Sequence, residues 1–295
     1  MKAQLLRRFV HTVVGAMAPS TGARWATDVF SSTRTLGLHP DNVLPLGADR
    51  FTVIGSPDVA NGFLWGDGRA TEGTALLVHG WAADSSSMHS LVPPLRDLGF
   101  RVAAFDGPAH GVRDGDQATM TQYTRAVGAV LDTLGDVRVV VAHSLGGIAA
   151  IGAAVERAGR PLDCVVLVAP ACTLGGVLDR WEGGGLRLTP AVVQGIYGEL
   201  HRRNGVPVSH WDIVGLGASF DRPVLVMHDP ADPMVPYSDA EAVAAGLKDA
   251  TLVSKPGTGH MGILMSKDVG AAVSAFVTEH RHRNRNRNRN RQGIV

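Results

Sequence analysis

Short valine-rich runs alternate with helix-length segments along this chain, and this alternation constrains its fold more than any other feature. The runs are bounded by turn residues and lie at 75–79, 101–105, 138–142, 164–169, 223–228 and 250–254. Continuous apolar runs of this length are typical of parallel strands that are buried on both faces. The segments between them are long enough for crossover helices. The pattern therefore predicts an α/β fold with a mostly parallel, doubly wound sheet.

Two further segments complete the predicted body of the molecule, which spans residues 41–279. Residues 50–55 and 61–65 flank a Ser-Pro-Asp turn and are predicted to pair as strands. Residues 171–222 separate the sixth strand from the seventh and contain several aromatic side chains. A structureless loop of that length is uncommon in a compact domain, so we expect a small helical insertion here.

The two ends of the chain differ in composition from the body. Residues 1–40 predict an amphipathic helical segment packed on the body, because apolar side chains recur at helical spacing at Leu5, Leu6, Phe9, Val13 and Met17. A charged start followed by an apolar stretch leaves a secretory signal as the alternative. Residues 280–295 form an Arg/Asn-rich repeat, which we expect to be disordered.

The formal net charge of +1 conceals an uneven distribution. Residues 41–279 carry 17 basic and 26 acidic side chains, whereas both ends are basic. This acidic body argues against a nucleic-acid-binding core, and no apolar run is long enough to span a membrane. The two cysteines, Cys164 and Cys172, cannot form a disulfide framework, which favours a cytoplasmic location.

The strongest chemical signal lies where the fifth predicted strand meets the following helix. Ala142-His143-Ser144-Leu145-Gly146 has the form small-x-Ser-x-Gly. A sharp strand-to-helix turn of this kind lifts the serine hydroxyl above the sheet and requires small residues on either side. It also places the Leu145 N–H at a helix N-terminus, where it can bind an oxyanion. Ser144 is therefore the candidate nucleophile.

A serine nucleophile needs a base and an acid, and in this context they are expected to follow in the order acid, then histidine. Asp232 lies just beyond the next-to-last strand, and His260 lies just beyond the last. Asp229 is the chief rival for the acid. A second oxyanion donor is expected after the third strand, where Gly80 allows close backbone approach and the Trp81 N–H can face the reacting carbonyl.

In these motifs the sequence resembles the α/β-hydrolase superfamily of serine hydrolases from about residue 50 to residue 279. The resemblance rests on His79-Gly80-Trp81, Asp106–Gly111, the Ser144 turn, the Asp232 loop with Val235-Pro236, and Gly259-His260. It implies an α/β-hydrolase fold in which the insertion after strand 6 is a helical lid. Two departures are Ala142, where glycine is commonest, and Asp229, where glycine usually follows the histidine. Serine rather than aspartate at the turn argues against a dehalogenase or an epoxide hydrolase.

These residues predict a serine hydrolase that cleaves a carboxylic ester, lactone or thioester of a small, hydrophobic molecule through an acyl-enzyme on Ser144. No cofactor or metal is expected, since no His-Glu-x-x-His or phosphate-binding loop occurs. Acyl transfer or cyclisation on the same triad and a non-catalytic binding protein are the alternatives. A further alternative is that the basic ends of the chain bind an anionic partner. Candidate substrate-lining residues are Met88, Trp181, Tyr197 and Trp211.

Overall fold

An eight-stranded sheet forms the centre of the protein, in a computed structural model that describes residues 2–34, 44–59, 61–67, 70–186 and 188–281. The strands are Ala48–Thr52 (β1), Asn61–Trp65 (β2), Thr74–Val78 (β3), Arg101–Ala104 (β4), Val137–His143 (β5), Cys164–Val168 (β6), Val224–His228 (β7) and Ala250–Ser254 (β8). Their spatial order is β1-β2-β4-β3-β5-β6-β7-β8. β2 runs antiparallel to both β1 and β4, and all other pairs are parallel. The predicted α/β fold with a mostly parallel sheet is confirmed.

Helices cover both faces of this sheet. They are Lys2–Met17 (α1), Pro19–Phe30 (α2), Val92–Asp97 (α3), Met120–Leu134 (α4), Gly146–Val155 (α5), Leu174–Arg180 (α6), Pro190–Asn204 (α7), Ile213–Leu216 (α8), Tyr237–Gly246 (α9) and Lys267–His280 (α10). Short 3₁₀ helices lie at Ser85–Leu91, Gly183–Gly185, Val208–His210, Gly217–Ser219 and Gly262–Met265. This two-sided covering is the doubly wound arrangement that the strand pattern predicts.

The strand sequences divide the core into two layers because successive side chains point to opposite faces. On β3, Leu76 and Val78 are buried in the layer that contains α4 and α5. Ala75 and Leu77 are buried in the opposite layer, against α3 and α10. Both faces of the strand are therefore apolar, which explains why its sequence is a continuous apolar run and not an alternating one.

The segment between β6 and β7 is helical, with α6, α7 and α8 in succession. Thr189 caps the start of α7 by accepting a hydrogen bond from the Val192 N–H, and Pro190 occupies the first turn. Gly205 ends the helix in the left-handed conformation, at φ +76°. Local capping residues thus define the longest helix of this insertion.

The apolar spacing of α1 predicts that its apolar side is buried, but the structure buries a different side. Phe9 and Met17 are exposed (68% and 83%), whereas His11 is fully buried and Gly15 is buried against α2. α1 therefore contacts α2 through its small and polar side, because Gly15 allows the two helix backbones to approach closely. Residues 35–43 and the Arg/Asn repeat after Arg281 lie outside the described residues.

The carboxyl ends of the parallel strands meet at one edge of the sheet, and the candidate functional residues follow these ends. Gly80 and Trp81 come after β3, Ser144 after β5, and Asp232 and His260 after β7 and β8. Within the described residues, no helix is long and apolar enough to cross a membrane. This edge of an open α/β sheet is where such folds bind ligands.

Candidate active site

Ser144 lies on a strained turn between β5 and α5. Its backbone has a φ of +53°, which a side-chain-bearing residue rarely adopts. Its N–H donates to the Val168 carbonyl at the end of β6, at 3.0 Å, and this bond holds the turn against the sheet. A Cβ atom at Gly146 would collide with the His79 carbonyl oxygen, so the turn tolerates only glycine there. Ala142, on the other side, is fully buried.

Asp232 and His260 form a buried pair beside this turn. The His260 Nδ1 lies 2.7 Å from the Asp232 Oδ2, and the two side chains are 5% and 0% exposed. The other carboxylate oxygen accepts hydrogen bonds from the backbone N–H groups of Met234 and Val235, at 2.7 and 3.0 Å. The carboxylate therefore holds the imidazole by its Nδ1 side, and His260 itself lines the cavity.

The same contacts keep Asp232 ionised. Burial by itself raises the pKa of this carboxyl, but hydrogen bonds from His228, His260 and the two backbone N–H groups outweigh it and hold the pKa well below its ordinary value. The Nε2 of His228 lies 3.4 Å from the Asp232 Oδ2 and 2.9 Å from the Val235 carbonyl oxygen. The sequence interpretation used this second histidine only as the residue that precedes Asp229 in the motif, and it did not predict that the ring contacts Asp232.

Asp229 has a different position from Asp232, although both follow β7. Its carboxylate accepts hydrogen bonds from the backbone N–H groups of Ala231 and Gly259, at 2.9 and 2.5 Å. These bonds lower the pKa of Asp229 and fix the loop that carries His260. The structure thus places Asp232, and not Asp229, against the histidine ring.

Three further histidines around the site are buried and form hydrogen bonds with loop backbone. The His143 Nε2 donates to the His260 carbonyl oxygen at 2.9 Å, and burial lowers the pKa of His143 to about 3. The Gly107 N–H donates to the His79 Nε2, and the His110 Nδ1 lies 2.8 Å from the Pro108 carbonyl oxygen. Burial also lowers the pKa of His79 and His110. These rings hold loop backbone in place.

The two predicted oxyanion donors, Trp81 and Leu145, line the same cavity as Ser144 and His260. Neither of their backbone N–H groups donates to a protein acceptor within the part of the chain that the structure describes. Ala82, directly after Trp81, has a φ of +58°, so the loop carries backbone strain where it passes Ser144. Two unpaired N–H groups beside a nucleophile are the arrangement that binds a developing oxyanion.

A cavity of about 360 Å³ opens above Ser144. Most of the side chains that line it are apolar, and they come from the N-terminal segment, the β3 loop, the helical insertion and the β7 and β8 loops. Arg180 also lines it, but its guanidinium pairs with Asp239 at 3.1 Å. The cavity therefore suits a small, neutral and largely apolar group.

Of the predicted substrate-lining residues, only Trp181 lies on the cavity wall, and the other three assignments are corrected. Met88 is fully buried in the layer beneath the opposite face of the sheet, because its 3₁₀ helix packs there. Trp211 is buried within the insertion core. The Tyr197 hydroxyl points away and donates to Asp179 at 2.6 Å. Aromatic composition alone did not distinguish the wall from the core.

The sequence interpretation also missed one wall of the cavity. Val29, Phe30, Ser31 and Ser32 line it, although they precede the sheet by many residues. Only the apolar character of Val29 and Phe30 near the end of a predicted helix could have suggested this, and that signal does not specify a partner. Among the described residues, no group of three potential ligand side chains is placed to hold a metal ion.

Two family models match adjoining parts of the chain. Residues 75–210 match the model described as alpha/beta hydrolase fold, and residues 206–288 match the model described as TAP-like protein. Together they cover the sheet from β3 onward, the insertion and every candidate catalytic residue. The N-terminal helices α1 and α2 lie outside both matches.

Individual proteins and solved structures also match this chain. Methylesterase 9 of Arabidopsis thaliana is 40% identical over 84 residues, which are 27% of this chain and a third (33%) of that protein. The solved structure of Est1E from Butyrivibrio proteoclasticus with bound ferulic acid is 19% identical, covers 79% of this chain and 94% of its own, and has a TM-score of 0.60. The Pyrococcus furiosus esterase Pf2001 is 16% identical, covers 82% and 98%, and has a TM-score of 0.59. At these identities the two structures establish the fold alone.

Proposed function

The chain belongs to the α/β-hydrolase superfamily, and from this premise we propose that it is a serine esterase acting on small, apolar carboxylic esters. The observation that carries the proposal is the buried His260–Asp232 pair, which borders the same cavity as the strained Ser144 turn. The names of two relatives, a methylesterase and the esterase Pf2001, support the same activity. Lactones and thioesters share the reacting carbonyl and fall within the same proposal.

Each residue has a defined part in the proposed reaction. The Ser144 hydroxyl attacks the ester carbonyl carbon while the His260 Nε2 takes its proton. Asp232 holds the histidine tautomer that makes this possible and stabilises the imidazolium that forms. The Trp81 and Leu145 N–H groups bind the oxyanion, each contributing about 3 kcal/mol to the transition state.

The second half of the reaction returns the enzyme to its starting state. His260 gives its proton to the leaving alcohol, and the acyl group stays on the Ser144 oxygen. A water molecule, deprotonated by His260, then attacks the acyl carbonyl. His260 returns that proton to the Ser144 oxygen as the bond to it breaks and the carboxylic acid leaves. An alcohol or amine in place of that water would make the same site an acyltransferase.

The test compares p-nitrophenyl butyrate turnover by the wild-type protein, Ser144→Ala and Ser219→Ala. Ser219 is exposed and lies on a 3₁₀ helix away from the cavity, so it controls for the loss of a serine hydroxyl. We expect Ser144→Ala to lose turnover and labelling by a fluorophosphonate probe, and Ser219→Ala to retain both. Turnover that survives in purified Ser144→Ala would refute the proposal, and a wild type that the probe does not label would favour a binding protein. Product analysis with added alcohols separates hydrolysis from acyl transfer.

A further inference from the structure

The segment that closes one side of the cavity comes from outside the matched family region. Val29, Phe30, Ser31 and Ser32 line the cavity, at the end of α2 and just after it. The family match begins at residue 75. The N-terminal helices therefore add a wall to a site whose other parts come from the hydrolase fold.

Close helix packing holds this wall in place. A Cβ atom at Gly195 of α7 would lie only 2.5 Å from the Cβ of Ala23 on α2, so glycine at this position allows the two helices to approach. Ala23 and Ala26 are buried in the contact. An ion pair of 2.6 Å between Asp28 and Arg203 joins the same helices near the C-terminal end of α2. The position of the end of α2 is thereby tied to the helical insertion.

Hydrogen bonds beyond α2 fix the wall to the active-site loops. The Trp81 indole N–H donates to the Ser32 carbonyl at 3.0 Å. The Thr33 hydroxyl donates to the Ala109 carbonyl at 2.6 Å, and the Arg34 guanidinium donates to the carbonyl groups of Gly111 and Arg113. The chain after α2 thus crosses the loop that follows β4 and contacts the side chain of a candidate oxyanion residue.

Above the cavity, the end of α2 meets the end of α6. The Phe30 ring lies edge-on to the Trp181 ring, with centroids 5.2 Å apart, and both residues line the cavity. Val29 packs so closely on Gly184 that a Cβ there would lie 2.8 Å from its Cγ1 atom. Phe30 and Trp181, which are 151 positions apart in the chain, therefore form one aromatic surface of the cavity that Ser144 also lines.

We propose that the end of α2, with Phe30 packed on Trp181, determines the length and bulk of the apolar group that the site accepts. This inference rests on the proposed esterase function and identifies the part of the cavity that determines its substrate specificity. The contacts of Phe30 are apolar and aromatic, and the charge of Arg180 is balanced by Asp239. The accepted group is therefore a short, neutral alkyl or aryl chain that ends against the Phe30 ring.

The test measures kcat/KM for p-nitrophenyl acetate, butyrate, octanoate and dodecanoate with Phe30→Ala and Phe30→Trp. The smaller side chain should raise the ratio of long-chain to short-chain kcat/KM by about 10-fold or more, and the larger one should lower it, since a misfit of a methylene or more in an apolar pocket costs about 10-fold or more. Phe9→Ala removes the same phenyl group from an exposed position on α1 and should leave the ratio unchanged. Circular dichroism and thermal melting verify the fold of each variant.

A second measurement does not depend on catalysis. Calorimetry of alkan-1-ol binding in the Ser144→Ala background should show the same opposite shifts in preferred chain length for Phe30→Ala and Phe30→Trp. If the wild type hydrolyses no ester, the proposed function fails while calorimetry still tests the wall. If both Phe30 variants are folded and lose activity or binding equally for all chain lengths, Phe30 has only a structural role and the inference is overturned.

Discussion

Replacing Asp232 by asparagine tests the proposed catalytic arrangement most directly. The substitution keeps the size of the side chain, and its amide oxygen can still accept from the Met234 and Val235 N–H groups. The amide NH₂ group then faces the His260 Nδ1, which must become an acceptor. The proton of the ring moves to Nε2, where the neutral ring can no longer accept the serine proton.

The size of the effect follows from the geometry of the pair. An Nδ1–Oδ2 distance of 2.7 Å places the two charge centres about 4 Å apart when the imidazolium forms. At an effective dielectric constant of about 20, this attraction is worth about 4 kcal/mol. The Asp232 side chain is fully buried, so screening by solvent is small. Since about 1.4 kcal/mol corresponds to a factor of ten, we expect kcat to fall about 10³-fold with little change in KM.

Asp229→Asn is the matched control, because it makes the same chemical change three residues before Asp232 in the same loop. Asp229 contacts the backbone of Ala231 and Gly259 and holds the loop without touching the His260 ring. Its loss should destabilise the loop but reduce kcat by no more than about 10-fold. Steady-state kinetics on p-nitrophenyl butyrate, with thermal melts of both variants, make the comparison. A folded Asp232→Asn that keeps kcat within about 10-fold of the wild type would refute the reasoning.

Three other outcomes follow from the structure. His143 has a pKa lowered by burial from 6.5 to about 3, so below pH 6.5 the unfolded chain binds a proton that the folded protein does not, and stability falls as the pH falls. Urea denaturation of His143→Gln should therefore show a difference in unfolding free energy between pH 7 and pH 5 that is about 2 kcal/mol smaller than in the wild type; an equal difference in both would contradict this. Gly146→Ala should lower the unfolding free energy by about 1–3 kcal/mol and reduce kcat, because the added Cβ meets the His79 carbonyl, and a variant as stable and active as the wild type would count against that contact. A double-mutant cycle with Asp28→Asn and Arg203→Gln should give a coupling energy of about 0.5–1 kcal/mol that shrinks at high salt, whereas no coupling at low salt would mean that the pair does not hold α2 on α7.

The candidate catalytic residues were accessible from the sequence because each depends on a local pattern placed at the end of a strand. The Ser144 turn needs small neighbours, and the structure gives the reason in the contact between Gly146 and His79. The valine-rich runs predicted the strands because burial on both faces leaves a continuous apolar sequence. Parallel strands bring their carboxyl ends to one edge, so residues that are far apart in the chain were expected to meet there.

Other features depended on tertiary structure alone. Asp229 and Asp232 both follow β7, and only the path of the loop places Asp232 against His260. Met88 and Trp181 were equally plausible cavity residues, yet the two lie in separate layers of the molecule.

The cavity wall formed by the end of α2 is the clearest feature that depends on tertiary structure alone. Phe30 lines the cavity because α2 packs on α7 and its ring rests on Trp181. A contact between residues 151 positions apart leaves no periodicity in either segment, since each segment has the local pattern of an ordinary apolar helix end. The sequence by itself therefore determined the sheet and the candidate chemistry at its edge, whereas the shape of the cavity came from long-range packing that no local pattern encodes.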